Sequence, residues 1–166
     1  GTHPHGTVIA IHLHQTITPG SNAFRYIIIN RKYIIPIPDP SKLTQEKGMF
    51  YYSEGPEDGR GYTFWIDEVK FEKLGTIAHP QPAILEEQDQ DIQANVGDVL
   101  SIGGIFVEFN MPNGIDQRID VAPSYFNFSS SDTSVAQVNE SGNVSVINSG
   151  SALITARLRD ITAKGS

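Results

Sequence analysis

The chain has 166 residues, of which 39% are hydrophobic and 19% charged, and this length fits one ordinary domain or two small ones. Its net charge of −7 provides no positive field to meet phosphate groups, which argues against nucleic acid as a partner. The absence of cysteine excludes disulfides, thiolate nucleophiles and cysteine-bound zinc. No run approaches the roughly 20 apolar residues of a transmembrane helix.

The two halves of the chain differ in charge and in aromatic content. Residues 1–75 carry 8 basic and 8 acidic side chains, whereas residues 76–166 carry 4 basic and 11 acidic ones. Ten of the 15 aromatic residues lie before residue 76. We therefore predict two domains, residues 1–76 and residues 77–166, with a linker in the proline- and carboxylate-rich segment 75–91.

Strand patterns dominate the first half. Segments rich in Ile, Val, Phe and Tyr, separated by turn residues, cover residues 7–15, 24–37, 48–53 and 61–74. Pro36, Pro38 and Pro40 predict the end of the second strand, because proline cannot donate to a β-ladder. The one helix candidate is the short segment 41–47, with Ser41 as its cap.

The second half contains seven short strand patterns with turn residues between them. They cover residues 96–102, 105–111, 117–123, 125–130, 134–139, 142–148 and 151–158. Such even spacing is typical of a small β-sandwich. In the last segment Ala156 and Leu158 lie on the apolar side of an alternating pattern, which predicts a core-facing side. The predicted fold class is therefore all-β, with two small β-sandwich domains.

Residues 129–158 read SSSDTSVAQVNESGNVSVINSGSALITARL, with a Ser-Ser-Asp start, a Val-Ala-x-Val segment, a Gly-x-Val turn and a Gly-x-Ala-x-Ile-Thr-Ala strand. This pattern resembles the group-2 bacterial Ig-like domain. We expect Val135 and Val138 to fill the core of such a domain. Gly142 would turn the hairpin, and Ile154 would anchor the closing strand. The resemblance implies an extracellular spacer, stalk or adhesive unit.

Residues 34–77 contain an IPIP strand end, a Leu-Thr segment and the closing strand FWIDEVKFE. This stretch looks like the C-terminal part of a jelly-roll carbohydrate-binding module from bacterial polysaccharide-degrading enzymes and glycan-binding surface proteins. A jelly roll needs about eight strands, but only four or five patterns precede residue 76. We therefore expect a partial jelly-roll-like domain in a piece of a longer protein, with missing strands supplied by upstream sequence or by another chain.

Aromatic rings that stack on pyranose faces are the first requirement of a sugar site. The rings available in the first half are those of Tyr51, Tyr52, Tyr62 and Trp65. Neighbouring strand residues point to opposite faces, so one of Tyr51 and Tyr52 is expected in the core and the other free. Trp65 has the same parity as Val69 and Phe71, which favours packing in the core over a sugar platform.

Asp67 and the pair His12 and His14 are candidate metal ligands. The jelly-roll resemblance implies that Asp67 helps to hold a structural calcium ion. The pattern itself favours a solvated or hydrogen-bonded Asp67–Glu68 pair at a β-bulge. His12 and His14 would place two imidazoles on one strand face, a spacing that zinc sites use, although half-exposed strand histidines are the favoured interpretation. No cofactor is required by these patterns.

No GxSxG, HExxH, P-loop or dinucleotide-binding pattern occurs in the sequence. We therefore predict a non-catalytic polysaccharide-binding fragment of a bacterial surface or secreted protein, with an Ig-like spacer. The alternative is an adhesion or protein-interaction module without sugar binding. In it the Ig-like domain or exposed strand edges of the first half recruit a partner by strand addition, and the exposed edges could also form a homodimer. A third reading is a glycoside hydrolase fragment that uses Glu54, Asp67 or Glu68.

Overall fold

The computed structural model describes residues 7–17, 27–42, 63–73, 78–111, 114 and 116–166. The chain divides into a first unit, Gly1–Ile37 with Leu43–Gly75, and a second unit, Pro38–Lys42 with Thr76–Ser166. The described residues form twelve strands in four antiparallel sheets, with only single 3₁₀ turns as helical structure. The predicted all-β class is confirmed. Within these residues no helix has the length and apolar character of a membrane span.

The first unit contains one three-stranded antiparallel sheet among its described residues. Its strands are β1 (Thr7–Ile17), β2 (Ile27–Pro36) and β3 (Thr63–Lys73), in the order β2-β1-β3. These segments are rich in the β-branched and aromatic residues that suit a pleated surface. β2 ends at Pro36 as predicted, and the predicted strand over 48–53 lies outside the described residues.

The prediction that 75–91 is a linker is wrong for most of its described part. Ala78–Ala83 forms β4, which pairs with a strand over Phe106–Asn110. Pro82 and Ala83 are buried, and Ile84 is fully buried behind them. β4 is the last strand of its sheet, and on its other side Pro82 contributes only its carbonyl, which accepts from the Lys164 N–H at 2.9 Å, so the missing proline N–H costs no hydrogen bond there. The proline-rich composition therefore marks an edge strand rather than a linker.

All seven strand patterns predicted for the second half contain a strand. The strands are β5 (Val99–Ser101), β6 (Phe106–Asn110), β7 (Asp116–Asp120), β8 (Asn127–Ser130), β9 (Ala136–Val138), β10 (Asn143–Val146) and β11 (Ile154–Leu158), followed by β12 (Ile161–Thr162). They form the sheets β4-β6-β7, β5-β10-β9 and β12-β11-β8. A single parallel bridge also pairs Ala83 of β4 with Lys164.

The core of the second unit is apolar and well enclosed. Phe126, Val107, Ala156 and Leu158 are each at most 1% exposed. Ala156 and Leu158 are buried while Arg157 between them is exposed, so the alternation predicted for β11 is confirmed. Each large apolar side chain buried in this way stabilises the fold by about 1.5–3 kcal/mol.

A tight turn joins β9 to β10, as the sequence pattern predicts. Gly142 has a φ of +73°, a conformation that side chains other than glycine rarely adopt, and its N–H donates to the Asn139 carbonyl. The Asn139 side chain also accepts hydrogen bonds from the main chains of Ser141 and Asn143, both at 3.0 Å. Val135 and Val138, expected in the core, are half-buried.

The short segment Pro38–Lys42 belongs to the second unit and is organised by Asp39. Pro40–Lys42 forms a single 3₁₀ turn, and the rest of the predicted helix lies outside the described residues. Asp39 Oδ1 accepts hydrogen bonds from the N–H of Ser41 at 3.0 Å and from its hydroxyl at 2.7 Å. Asp39, not Ser41, therefore caps this turn.

Candidate functional site

The residues predicted to form a site fall into two groups. Tyr51, Tyr52, Tyr62 and Glu54 lie outside the described residues. Trp65 and Asp67 lie on β3, and His12 and His14 lie on β1, the neighbouring strand of the same sheet. The sugar-binding and metal-binding predictions for these four residues therefore concern one place in the fold.

The strand register brings these four positions to one face of the sheet. His12 is opposite Asp67 on β3, and His14 is opposite Trp65. On the other side of β1, the same two positions are opposite Lys32 and Asn30 of β2. Directly opposed residues share a face of the sheet, as do residues two apart on one strand. We call this set the polar face; its members are His12, His14, Asn30, Lys32, Trp65 and Asp67.

A β-bulge interrupts β3 directly after Asp67. Lys70 is opposite Ala10 while Asp67 is opposite His12, so two residues, Glu68 and Val69, lie against one residue of β1. Glu68 has a φ of +49°, which is strained for a residue with a side chain. The bulge predicted at this place is confirmed, and bulges of this kind re-aim side chains next to functional sites.

The bulge overturns the parity argument for Trp65. Beyond it, Phe71 is opposite Ile9, and Ile9 occupies the other face of β1 from His14, the partner of Trp65. The extra residue inverts the alternation, so Trp65 and Phe71 lie on opposite faces. Phe71 is also 54% exposed, so it does not mark a buried core. The register instead assigns Trp65 the same face as Lys70.

The carboxylate of Glu68 is solvated, as the pattern favours. Its side chain is 55% exposed and lies 3.8 Å from the Lys70 ammonium, which also lies 3.2 Å from Glu72. Ion pairs this exposed contribute little to stability.

Metal binding finds no further support in the described residues. Among the residues whose side chains the structure describes, which do not include His12, His14 and Asp67, no group of three or more His, Cys, Asp or Glu could hold a metal ion. Calcium binding by Asp67 and zinc binding by His12 and His14 stay predictions. The strand register adds only that His12 and Asp67 are directly opposed.

The sequence patterns missed Asn30 and Lys32 as members of the polar face. Their local signal is present, because they belong to an Asn-Arg-Lys interruption within the apolar run of β2. Alternation along β2 alone does not say which of these residues shares a face with His12, because that depends on pairing between distant segments.

Arg118 is the centre of a charged cluster in the second unit. Arg118 lies 2.8 Å from Glu86, and its guanidinium is 3.7 Å above the centre of the Phe106 ring. The hydrogen bond from Arg118 lowers the pKa of Glu86 below its ordinary value. Arg118 thus covers a buried ring with its charged end in solvent.

No family model matches this chain, and neither a curated protein nor a solved structure matches it.

Proposed function

We propose that the polar face of the β2-β1-β3 sheet binds carbohydrate, in a secreted or surface protein of bacterial origin. The observation that supports this proposal is the strand register, which assigns Trp65 to the same face as five hydrogen-bonding residues. The second unit is, in this proposal, a non-catalytic Ig-like spacer, for which a stable acidic sandwich is sufficient.

The residue types of the polar face match the chemistry of a sugar ring. A pyranose has apolar C–H faces that stack on aromatic rings and hydroxyl groups that need donors and acceptors. Tryptophan offers the ring, while histidine, lysine, asparagine and aspartate offer both kinds of hydrogen-bonding group. Three strands at about 4.8 Å spacing and two positions per strand cover a patch of about 10 by 7 Å. That patch has the dimensions of one or two sugar rings.

The bulge strengthens the case for Trp65 as the stacking residue. With strict alternation Trp65 would lie beside Phe71 on an apolar face, whereas the register pairs its position with His14. An aromatic residue among polar neighbours on a sheet face is more typical of a binding platform than of a core.

Affinity electrophoresis through gels containing soluble plant, algal and bacterial polysaccharides tests the proposal. The protein should be retarded by at least one polysaccharide, and Trp65→Ala should weaken binding about tenfold or more through loss of ring stacking. Phe71→Ala is the matched control, because its position lies on the opposite face of the same strand. Phe71→Ala should bind like the unmodified protein.

Two results would contradict sugar binding at this face. The first is that no polysaccharide retards the protein. The second is that Trp65→Ala and Phe71→Ala bind equally well. Incubation with the same glycans should release no reducing ends; release that Glu68→Gln abolishes would replace binding by hydrolysis as the function.

The metal predictions are tested in the same assay. If calcium bound by Asp67 supports the site, chelation and Asp67→Asn should weaken polysaccharide binding to the same extent. If His12 and His14 hold zinc, zinc should raise the unfolding temperature of the unmodified protein but not of a variant with both histidines replaced by alanine. An equal response of both proteins excludes this zinc site.

A further inference from the structure

A groove of about 500 Å³, lined by both apolar and polar side chains, opens in the second unit. Leu100 of β5 and Val144 and Val146 of β10 line it, and Ala152 and Ile154 line it from the segment that leads into β11. Its volume lies within the roughly 300–1,000 Å³ typical of ligand pockets. Apolar side chains of β5, β10 and β11 therefore form part of the groove's lining.

Two stretches of unpaired main chain border the groove. Among the described residues, neither 91–94 nor 149–152 forms a main-chain hydrogen bond to another main-chain group. Gln90 and Ser166, both in the lining, are joined by a hydrogen bond of 2.8 Å from the Gln90 N–H to the Ser166 carbonyl. Ile92 and Leu153, both among its lining residues, are each 54% exposed. These borders present free main-chain donors and acceptors beside apolar side chains, which is the surface that an added strand pairs with.

The described charged residues that line the groove and the depression beside it are all acidic. Asp91 lies on the lining of the groove and Asp89 on the depression, and no lysine or arginine is among the described residues that line either one. Lys164, which lines neither the groove nor the depression, forms an exposed ion pair with Glu87 at 3.0 Å. A positively charged partner is therefore favoured over a neutral or acidic one.

We propose that this groove binds an extended β-strand of another protein, with apolar side chains at alternate positions and a lysine or arginine beside Asp91. The alternate side chains would cover Leu100 and Val144, and the strand's main chain would pair with 91–94 on one side and 149–152 on the other. A small apolar ligand would fill the groove but leave both borders unpaired. The proposal is independent of sugar binding, which concerns the first unit.

Isothermal titration with a synthetic peptide tests the proposal on the full chain. The probe is a capped Lys-Val-Thr-Val-Thr-Val-Thr-Val-Lys peptide, and the comparison peptide has the same composition with valines and threonines in separate blocks. The alternating peptide should bind, and the block peptide should bind at least about tenfold more weakly because its apolar residues cannot share one face. In NMR spectra, the amides of 91–94 and 149–152 should shift on binding.

Variants locate the binding site. Asp91→Lys should weaken binding of the alternating peptide by reversing the charge at the rim, whereas Glu140→Lys, an equal charge change in an exposed turn, should not. Ala94→Pro removes a main-chain donor that the described structure does not use, so it should weaken binding without lowering the unfolding temperature.

Several outcomes would overturn the proposal. They are failure of the alternating peptide to bind, equal binding of both peptides, and equal effects of Asp91→Lys and Glu140→Lys. Light scattering that shows a concentration-dependent dimer, abolished by Ala94→Pro, would assign the groove to a second copy of this chain instead.

Discussion

Replacing Arg159 by glutamine should destabilise the second unit, because Arg159 neutralises a buried carboxylate. Asp39 is 3% exposed, and its Oδ1 accepts a hydrogen bond from Arg159 Nη2 at 2.7 Å. Burial raises the pKa of Asp39, but the hydrogen bonds from Arg159 and Ser41 outweigh it and hold the pKa below its ordinary value. The carboxylate is therefore ionised and dependent on its partners at neutral pH.

The expected cost of Arg159→Gln is about 2 kcal/mol at neutral pH. Removing one partner of a fully buried ion pair costs about 3–5 kcal/mol. Arg159 is 37% exposed, so solvent screens the pair, and both hydrogen bonds from Ser41 remain. The folded pKa of Asp39 is depressed, so this stabilisation is present above the unfolded pKa of about 3.9. It is lost as the pH falls through the folded pKa.

Urea unfolding followed by NMR measures the loss of stability caused by Arg159→Gln in the second unit, where Asp39 and Arg159 lie. Trp65 is the only tryptophan and lies in the first unit, so its fluorescence does not report on Asp39. The amides of Ala156 and Leu158 report on the unit that contains Asp39, because both residues lie in the core of the second unit. With a slope of about 1 kcal/mol per molar urea, a loss of about 2 kcal/mol lowers the midpoint by about 2 M.

Arg157→Gln is the matched control for Arg159→Gln. It removes the same charge two residues earlier, but Arg157 is exposed and donates to the Asp160 main-chain carbonyl rather than to a carboxylate. Its effect should stay within about 0.5 kcal/mol. Equal midpoints for the two variants would refute the reasoning, as would an Arg159→Gln effect that does not shrink between neutral pH and about pH 3.

Two further predictions concern packing in the second unit. Gly104→Ala should cost at least about 2 kcal/mol, because Gly104 has a φ of +59° and a new Cβ would lie 2.6 Å from the Glu86 nitrogen. Gly103→Ala, with nothing within 4 Å of its Cβ position, should leave the unfolding temperature nearly unchanged, and equal losses would contradict this account. Phe126→Ala should cost about 3–5 kcal/mol by urea unfolding. Phe71→Ala, at an exposed position of the first unit, should change the stability of that unit by at most about 0.5 kcal/mol, and a larger loss there would show that the exposed ring packs in solution.

Local patterns were sufficient to locate most strands. The runs that became β1, β2 and β3 are rich in residues that favour extended backbone, and β2 ends at the proline that predicts its end. In β11 the alternation of side chains identifies the buried positions, since a strand exposes alternate residues to opposite faces. These signals act over a few residues and can therefore be identified from sequence.

The linker prediction failed because composition does not report tertiary neighbours. Prolines and carboxylates over 75–91 are typical of a connecting segment, yet Pro82, Ala83 and Ile84 are buried. Prolines can lie in this buried strand because β4 is the last strand of its sheet. It forms ladder hydrogen bonds to only one neighbouring strand, β6, and such edge positions tolerate proline.

The sequence by itself determined the all-β class, most of the strand positions and the residue types available for a site. Only the tertiary structure decided that Trp65 shares a face with His14 rather than with Phe71, and that a groove remains beside β5 and β10. The reason is physical: a single extra residue in a bulge inverts every face assignment beyond it. Pairing between distant strands, which no local pattern encodes, then determines which residues meet.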